Sequence, residues 1–141
     1  MIQVNVCCPA CGASLMEANH TVGGHPAIHT RVVIEGREVD LRLSSGLGDY
    51  TIECATEIPE GIEVTLLCPR CGTSLTGTRT CELCSAAMAH FRMREGGGVQ
   101  ICCRRGCRKH LIEFEHPETE VSEFYRRNPI FWDAYHPPEE K

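Results

Sequence analysis

Cysteine pairs limit the folds open to this chain more than any other feature of its sequence. The 141 residues contain 11 cysteines, and only 48 other apolar residues remain to build a core. A chain with so few apolar side chains needs disulfides or a bound metal to fold stably. Six of the cysteines form three Cys-x-x-Cys pairs, at Cys8/Cys11, Cys68/Cys71 and Cys81/Cys84.

The amino-terminal sequence favours metal over disulfides. Residues 1–9 contain neither the basic segment nor the apolar segment of a secretory signal. The chain also lacks a run of 18 apolar residues, so we expect no membrane span and no membrane contact. These features predict a cytoplasmic protein, and in that reducing compartment paired cysteines hold metal more often than they form disulfides.

The first two pairs lie in nearly identical segments, residues 8–15 and 68–75, which agree at six of eight positions. Each segment follows a strand-like run, at 2–6 and at 62–67, in which Val and Ile are prominent. Pro after the first Cys fixes the turn, and Gly after the second leaves backbone N–H groups free to face the sulfurs. The third pair has the spacing without the Pro and the Gly.

Two tetrahedral metal sites need eight ligands. The fourth pair is Cys103 and Cys107, with Cys102 and His110 as alternates. Pairing in chain order predicts one site from Cys8, Cys11, Cys68 and Cys71, and a second from Cys81, Cys84, Cys103 and Cys107. The alternative pairing joins 68/71 with 81/84 and leaves 8/11 to meet 103/107. Both use the same eight cysteines and predict two zinc ions as cofactors.

These cysteine turns resemble the knuckles of the zinc-ribbon superfamily, which is related to rubredoxin-like sites. The order of knuckle, strand, Gly-rich turn, strand and knuckle in residues 81–107 is similar to that of the family. The resemblance implies two ribbons of short β hairpins, each closed by one zinc ion, and covers about half of the chain. It does not imply a particular function.

The sequence between and after the knuckles predicts short antiparallel strands. Runs at 31–35 and 38–43 flank a two-residue turn at Gly36-Arg37, and further runs lie at 50–54, 88–94 and 99–103. Helix is predicted only late, at 120–128 and for one more turn at 131–135. We therefore expect a small, mainly-β, metal-stabilised fold with a short C-terminal helical tail.

Three domains follow from these patterns. Residues 1–76 form the first zinc ribbon with a long β insertion, residues 77–112 a second, basic ribbon, and residues 113–141 an acidic, aromatic-rich tail. Charge follows the same division, because residues 70–112 carry eight basic groups and two acidic ones, between two acidic segments. Such an island can meet nucleic acid, an acidic protein or acidic parts of its own chain.

The basic island supplies candidate anion-binding residues for nucleic acid: Arg92, Arg94, Arg104, Arg105, Arg108 and Lys109. The tail supplies candidate anchors for a protein partner, since aromatic side chains are frequent at interface hot spots: Phe124, Tyr125, Phe131, Trp132 and Tyr135. The other interpretation of these aromatics is that they pack back onto the hairpins and complete the core.

No catalytic arrangement is visible in the sequence. It has no phosphate-binding loop and no Ser/His/Asp pattern. His20, His25 and His29 are expected in a solvated loop, with a third metal or a catalytic role as the alternative. A redox dithiol is disfavoured because no βαβ pattern surrounds the cysteines.

We therefore expect a non-catalytic zinc-ribbon protein that acts as an adaptor, accessory or regulatory subunit of a larger complex. One alternative is a nucleic-acid-binding protein that uses the arginines between 92 and 109. The other is an iron or iron–sulfur protein for electron transfer, since thiolates also bind iron.

Overall fold

The computed structural model of the protein describes residues 3–94, 96–107 and 110–113, the last four by their backbone alone. This described part contains ten strands and no helix: β1 (Val6–Cys7), β2 (Met16–Val22), β3 (His25–Ile34), β4 (Arg37–Ser44), β5 (Ile52–Cys54), β6 (Leu66–Leu67), β7 (Thr76–Thr80), β8 (Ala87–Met93), β9 (Gly98–Cys102) and β10 (His110–Glu113). The expectation of a small mainly-β protein is therefore confirmed. The predicted helical tail lies outside the described residues.

The strands form two antiparallel sheets of five strands each. Sheet I has the order β2-β3-β4-β5, with β6 also paired to β3. Sheet II has the order β1-β8-β9-β10, with β7 also paired to β8. Each sheet thus contains one short strand from the other part of the chain. Strand β1 precedes all strands of sheet I in sequence but pairs in sheet II. Strand β6 precedes all other strands of the second half but pairs in sheet I.

This exchange is reciprocal and indicates an internal duplication. In sheet II, Val6 of β1 lies opposite Met93 of β8; in sheet I, Leu66 of β6 lies opposite Val32 of β3. The first half (residues 3–54) and the second half (residues 63–112) therefore contribute the same strands in the same register. Mutual exchange of one element is the arrangement found in two-fold symmetric, domain-swapped dimers, here within a single chain.

The loops repeat as closely as the strands do. The Val4 N–H donates to the Ser45 carbonyl over 2.9 Å, and 60 residues later the Val64 N–H donates to the Cys103 carbonyl over 2.9 Å. Gly48 and Gly106 occupy equivalent loop positions with φ of 88° and 92°, a left-handed conformation that favours glycine. The duplication thus extends well beyond the similar cysteine segments.

The structure changes three details of the predicted fold. Strands β2, β7 and β10 are not predicted from the sequence, and the sequences of the first two, MEANHTV and TGTRT, are mainly polar and lack alternating apolar residues. The hairpin turn between β3 and β4 is Glu35-Gly36 rather than Gly36-Arg37, since Ile34 pairs with Arg37. The predicted domain boundary at 76/77 falls within β7, and β1 of the first predicted ribbon belongs to sheet II, whereas all five strands of sheet I lie within residues 1–76.

The main core lies between the halves and takes side chains from both. Residues of β3 alternate between inside and outside, so that Ile28, Thr30 and Val32 are buried. Phe91 of β8, at the position equivalent to Thr30, is completely buried in the same cluster. A smaller cluster of buried residues surrounds Met88 and Cys102 at the end of sheet II.

Replacement of Phe91 by Ala tests this core. Phe91→Ala should lower the free energy of unfolding of the metal-loaded protein by about 3–5 kcal/mol, because it removes a fully buried aromatic ring and leaves a cavity. Val33→Ala is the control, since Val33 is 42% exposed and should change stability by less than about 0.5 kcal/mol. Urea denaturation followed by circular dichroism measures both. Similar losses in the two variants would contradict this description of the core.

Candidate metal centres

The three Cys-x-x-Cys turns share one local geometry. In each turn a backbone N–H two residues after the first Cys points at its sulfur over 3.4 Å: from Ala10 to Cys8, from Arg70 to Cys68, and from Leu83 to Cys81. The third turn has Ser85 where the other two have Gly12 and Gly72, and Ser85 adopts a φ of 66°. The looser third sequence therefore forms the same knuckle.

The first tetrad, called centre 1, joins the two halves. It consists of Cys8, Cys11, Cys68 and Cys71. The Sγ atoms of Cys8 and Cys71 are 3.8 Å apart, and so are those of Cys11 and Cys68. Each half thus contributes one knuckle, and the two cross-half distances are equal, as the duplication requires.

The second tetrad, called centre 2, lies within the second half alone. It consists of Cys81, Cys84, Cys102 and Cys107. The Sγ atoms of Cys81 and Cys107 are 3.6 Å apart, and those of Cys84 and Cys102 are 3.4 Å apart. The hairpin of β8 and β9 lies between the pair Cys81/Cys84 and the pair Cys102/Cys107. In both centres, cysteine pairs that are consecutive along the chain share one site.

Sequence reasoning selected Cys103 for this centre and named Cys102 as the alternate, and the structure reverses that choice. Cys102 lies in the tetrad, whereas Cys103 is buried in the main core. Neighbouring residues of an extended chain point to opposite faces, so only one of the two can reach the metal. Burial also raises the pKa of the Cys103 thiol to about 11, which suits a neutral core residue.

The protein environment shifts the pKa values of the ligand thiols in opposite directions. Burial raises the pKa of Cys8 to about 12 and raises that of Cys102 further. Hydrogen bonds with the hydroxyl and backbone N–H of Thr73 lower the pKa of Cys71 to about 6, and the Ala86 backbone N–H lowers that of Cys84 to about 6. Each centre thus combines a thiol that ionises readily with a buried one whose proton the metal must displace.

The distances between sulfurs fit a filled tetrahedron. A Zn–S bond of about 2.3 Å gives tetrahedron edges of about 3.8 Å, which is the separation found in centre 1. All four sulfurs of each centre lie within 4.8 Å of one another. These contacts are far longer than an S–S bond of about 2.05 Å, and all 11 cysteines are free of disulfides. Each tetrad could therefore hold one metal ion.

The histidines named in the sequence analysis lie on strands of sheet I rather than in a loop. His20 Nε2 is 2.8 Å from Glu53 Oε1, and His29 Nε2 is 2.8 Å from Asp40 Oδ1. His25 belongs to a different group, described below. Among the described residues only the two cysteine tetrads have the geometry of a metal site.

The candidate arginines are divided between two places. Arg92 lies near the end of β8 and Arg94 directly after it, whereas Arg104 and Arg105 line a cavity of about 500 Å³ beside centre 2. Arg104 also donates to the Gly61 carbonyl over 2.9 Å and lies close enough to hydrogen-bond the Cys84 sulfur. The backbone of His110 belongs to β10. The remaining candidates lie outside the described residues, namely Arg108, Lys109, Phe124, Tyr125, Phe131, Trp132 and Tyr135, as does the side chain of His110.

The first half has a counterpart of centre 2 that is built without cysteine. Register and loop hydrogen bonds place Ser44 at the position of Cys102 and Asp49 at the position of Cys107. Asp49 Oδ1 accepts hydrogen bonds from the Thr51 hydroxyl over 2.7 Å and from the Thr51 N–H over 3.1 Å. The carboxylate fills the space beside Gly23, where a Cβ would overlap it. Hydrogen bonds thus close this end of sheet I where cysteine ligands close sheet II.

Comparisons with known protein families, curated proteins and solved structures found no match to this chain. The resemblance to zinc ribbons is therefore supported by the two tetrads alone, which are compatible with knuckles of that type. Within the described residues no helix has the length and apolar character needed to cross a membrane.

Replacing each of the adjacent cysteines by Ser tests the ligand assignment. Cys102→Ser should reduce the bound metal from two ions per chain to one, because centre 2 loses a ligand. Cys103→Ser is the matched control and should retain two ions, because its sulfur lies in the core. Metal analysis of the purified variants gives the ratio. Loss of an ion from Cys103→Ser alone would show that the assignment is wrong.

The Asp49 group predicts a pH dependence. Hydrogen bonds from Thr51 and Ser44 hold the pKa of the Asp49 carboxyl below its ordinary value, with His25 nearby as a smaller contribution. Because the folded state lowers this pKa, the stabilisation is complete above the unfolded value of about 3.9 and is lost as the pH falls through the folded value.

Asp49→Asn should therefore cost about 1–3 kcal/mol of unfolding free energy at pH 7 and at pH 5, with a smaller difference below about pH 4. Glu57→Gln, at an exposed position, is the control and should change little. Urea denaturation at each pH, with bound metal measured in parallel, gives the differences. A cost for Asp49→Asn that grows as the pH falls would contradict the prediction.

Proposed function

We propose that this chain is a non-catalytic zinc protein that acts as an adaptor or accessory subunit of a larger complex. The observation that supports this is the completeness of both tetrads. Four thiolates fill the coordination sphere of a tetrahedral zinc ion, whereas catalytic zinc keeps one position open for water or substrate. An ion bound in this way stabilises the fold and leaves recognition to the protein surface.

The position of centre 1 supports a structural role for the metal. Cys8 and Cys68 are buried beneath the two exposed ligands, Cys11 and Cys71, and belong to the main core. An ion at this place would crosslink the two halves of a chain that has few apolar residues. Iron fits the same four sulfurs, so the identity of the metal separates this proposal from electron transfer.

The proposed partner is a protein. Leu83, at the tip of the third knuckle, is 68% exposed and is the most exposed large apolar residue in the described part of the chain. We propose that Phe124, Tyr125, Phe131, Trp132 and Tyr135 of the tail serve as further anchors, since aromatic residues dominate interface hot spots. The reducing cytoplasm is the proposed location, because the ligands must remain thiolates.

Metal analysis of protein purified without oxygen tests the role of the centres. We expect two zinc ions per chain, no visible absorbance, and loss of the folded circular dichroism spectrum when a chelator removes the metal. Iron with visible absorption bands would instead support electron transfer. A fold that survives complete removal of metal would contradict the structural role of the ions.

The size at which the native protein elutes tests the proposal of a protein partner. The tagged chain, purified at low expression from its own source, should elute within a complex larger than 15.7 kDa. Phe131→Ser combined with Trp132→Ser should release it from the complex without changing its metal content. Val33→Ser, at an exposed position of sheet I, is the control and should stay in the complex. A wild-type chain that elutes alone would contradict the accessory role.

A further inference from the structure

The outer face of sheet II differs in charge from the outer face of sheet I. Along β8 (Ala87–Met93), Phe91 and Met93 point into the core, so His90 and Arg92 point outward, and Arg94 directly follows the strand. Arg92 and Arg94 are exposed. The duplication allows each position to be compared with its counterpart on β3, where His29 corresponds to His90 and Arg31 to Arg92.

On sheet I the basic side chains are matched by carboxylates. Glu17 accepts a hydrogen bond from Arg42 Nε over 2.7 Å, and Asp40 lies 2.8 Å from His29. Arg31 lies 4.0 Å from Glu38. The positive charge of this face is therefore largely neutralised within the sheet.

On sheet II the matching carboxylates are missing. The register places Gly77 at the position of Glu17 and Gly98 at the position of Asp40. A Cβ at Gly98 would overlap the His90 ring, so a carboxylate side chain cannot simply replace this glycine. Among the described residues, no carboxylate oxygen lies within 4.0 Å of Arg92 or Arg94. Within the described part of the chain, no ion pair therefore neutralises these two charges.

The chemistry of this face favours phosphate over a protein partner. Protein interfaces depend on apolar and aromatic anchors, but the exposed large apolar residues of the described chain are Val33, Ile62 and Leu83, none of which lies on sheet II. Interfaces with nucleic acid are more polar and much more positively charged. Arg92 near the end of β8 and Arg94 directly after the strand are two residues apart and both exposed, so they bring two positive charges to this part of the surface.

We propose that the outer face of sheet II binds the sugar-phosphate backbone of nucleic acid, with Arg92 and Arg94 as its principal contacts. The strands of sheet II contain one Phe and neither Tyr nor Trp, and that Phe91 is completely buried. Those strands therefore offer no aromatic surface on which bases could stack. Contacts to phosphate carry no sequence information directly, so the proposed binding is independent of base sequence. The inference goes beyond the proposed accessory role and does not depend on it, because it requires only that the sheets be folded.

The test measures binding of the full, metal-loaded chain to a fluorescently labelled 20-base-pair DNA duplex by anisotropy, from 50 to 300 mM salt. An RNA duplex and a DNA single strand of the same sequence serve as further probes. The logarithm of affinity should fall linearly with the logarithm of salt concentration, by about 0.9 for each phosphate contacted on duplex DNA.

The decisive variant is Arg92→Ala with Arg94→Ala. It should weaken binding at 100 mM salt by about tenfold and make the salt slope shallower by about 2, because two phosphate contacts are lost. The matched control is Arg31→Ala with Arg37→Ala on sheet I, which removes the same charge but not from the proposed face. It should leave the salt slope unchanged. Arg92→Gln with Arg94→Gln repeats the test with longer side chains if the alanine variant fails to fold.

Four results would overturn the inference. These are no binding by the metal-loaded wild type, equal losses in the two double variants, undiminished binding by the sheet II variant, and displacement of the duplex by poly-glutamate at an equal concentration of charge. The last result would instead identify an acidic protein segment as the ligand. Metal content is measured on every sample. A failure to bind nucleic acid would therefore not bear on the proposed structural zinc centres, which the metal analysis tests separately.

Discussion

Four sulfurs at the junction of the two halves are the contact on which the rest of this structure depends. Cys8 and Cys11 belong to the first half, Cys68 and Cys71 to the second, and each pair occupies the same turn of its own half. Strand exchange brings the two turns together, since β1 lies in sheet II and β6 in sheet I. A metal ion bound there would hold an arrangement that the small apolar core could not hold by itself.

The two halves have kept one architecture while their chemistry has diverged. Centre 2 closes the end of sheet II with four cysteines, whereas Asp49 and Ser44 close the equivalent end of sheet I with hydrogen bonds. The outer faces diverge in the same way, because carboxylates neutralise His29 and Arg42 on one sheet while glycines replace those carboxylates on the other. As a result, the second half of the chain carries more of the candidate metal ligands and more of the exposed positive charge than the first half.

This asymmetry bears on function. Closed four-thiolate centres provide stability rather than chemistry, so we expect activity to reside in the surfaces that they hold in place. Leu83 stands exposed on a knuckle of centre 2, and Arg92 and Arg94 stand exposed on the adjacent sheet. The residues proposed for the protein partner, Leu83 and the aromatic side chains of the tail, differ from those proposed for the nucleic-acid backbone, so the two proposals do not compete for the same residues.

The sequence by itself determined the β class and the three knuckles, because these depend on local spacing and on side-chain type. It left two pairings of the knuckles open, and contacts between cysteines distant in the chain decided for pairing in chain order. It did not determine which of Cys102 and Cys103 meets the metal, since both fit the spacing and the alternation of β9 makes the choice. Nor did it reveal the duplication, because outside the cysteine segments the halves share their backbone register but few identical residues, and equivalent positions differ as at Thr30 and Phe91 or at Asp49 and Cys107. The tertiary structure alone decided the strand exchange and the placement of glycines on sheet II where sheet I has Glu17 and Asp40, since both depend on the pairing of residues distant in the chain.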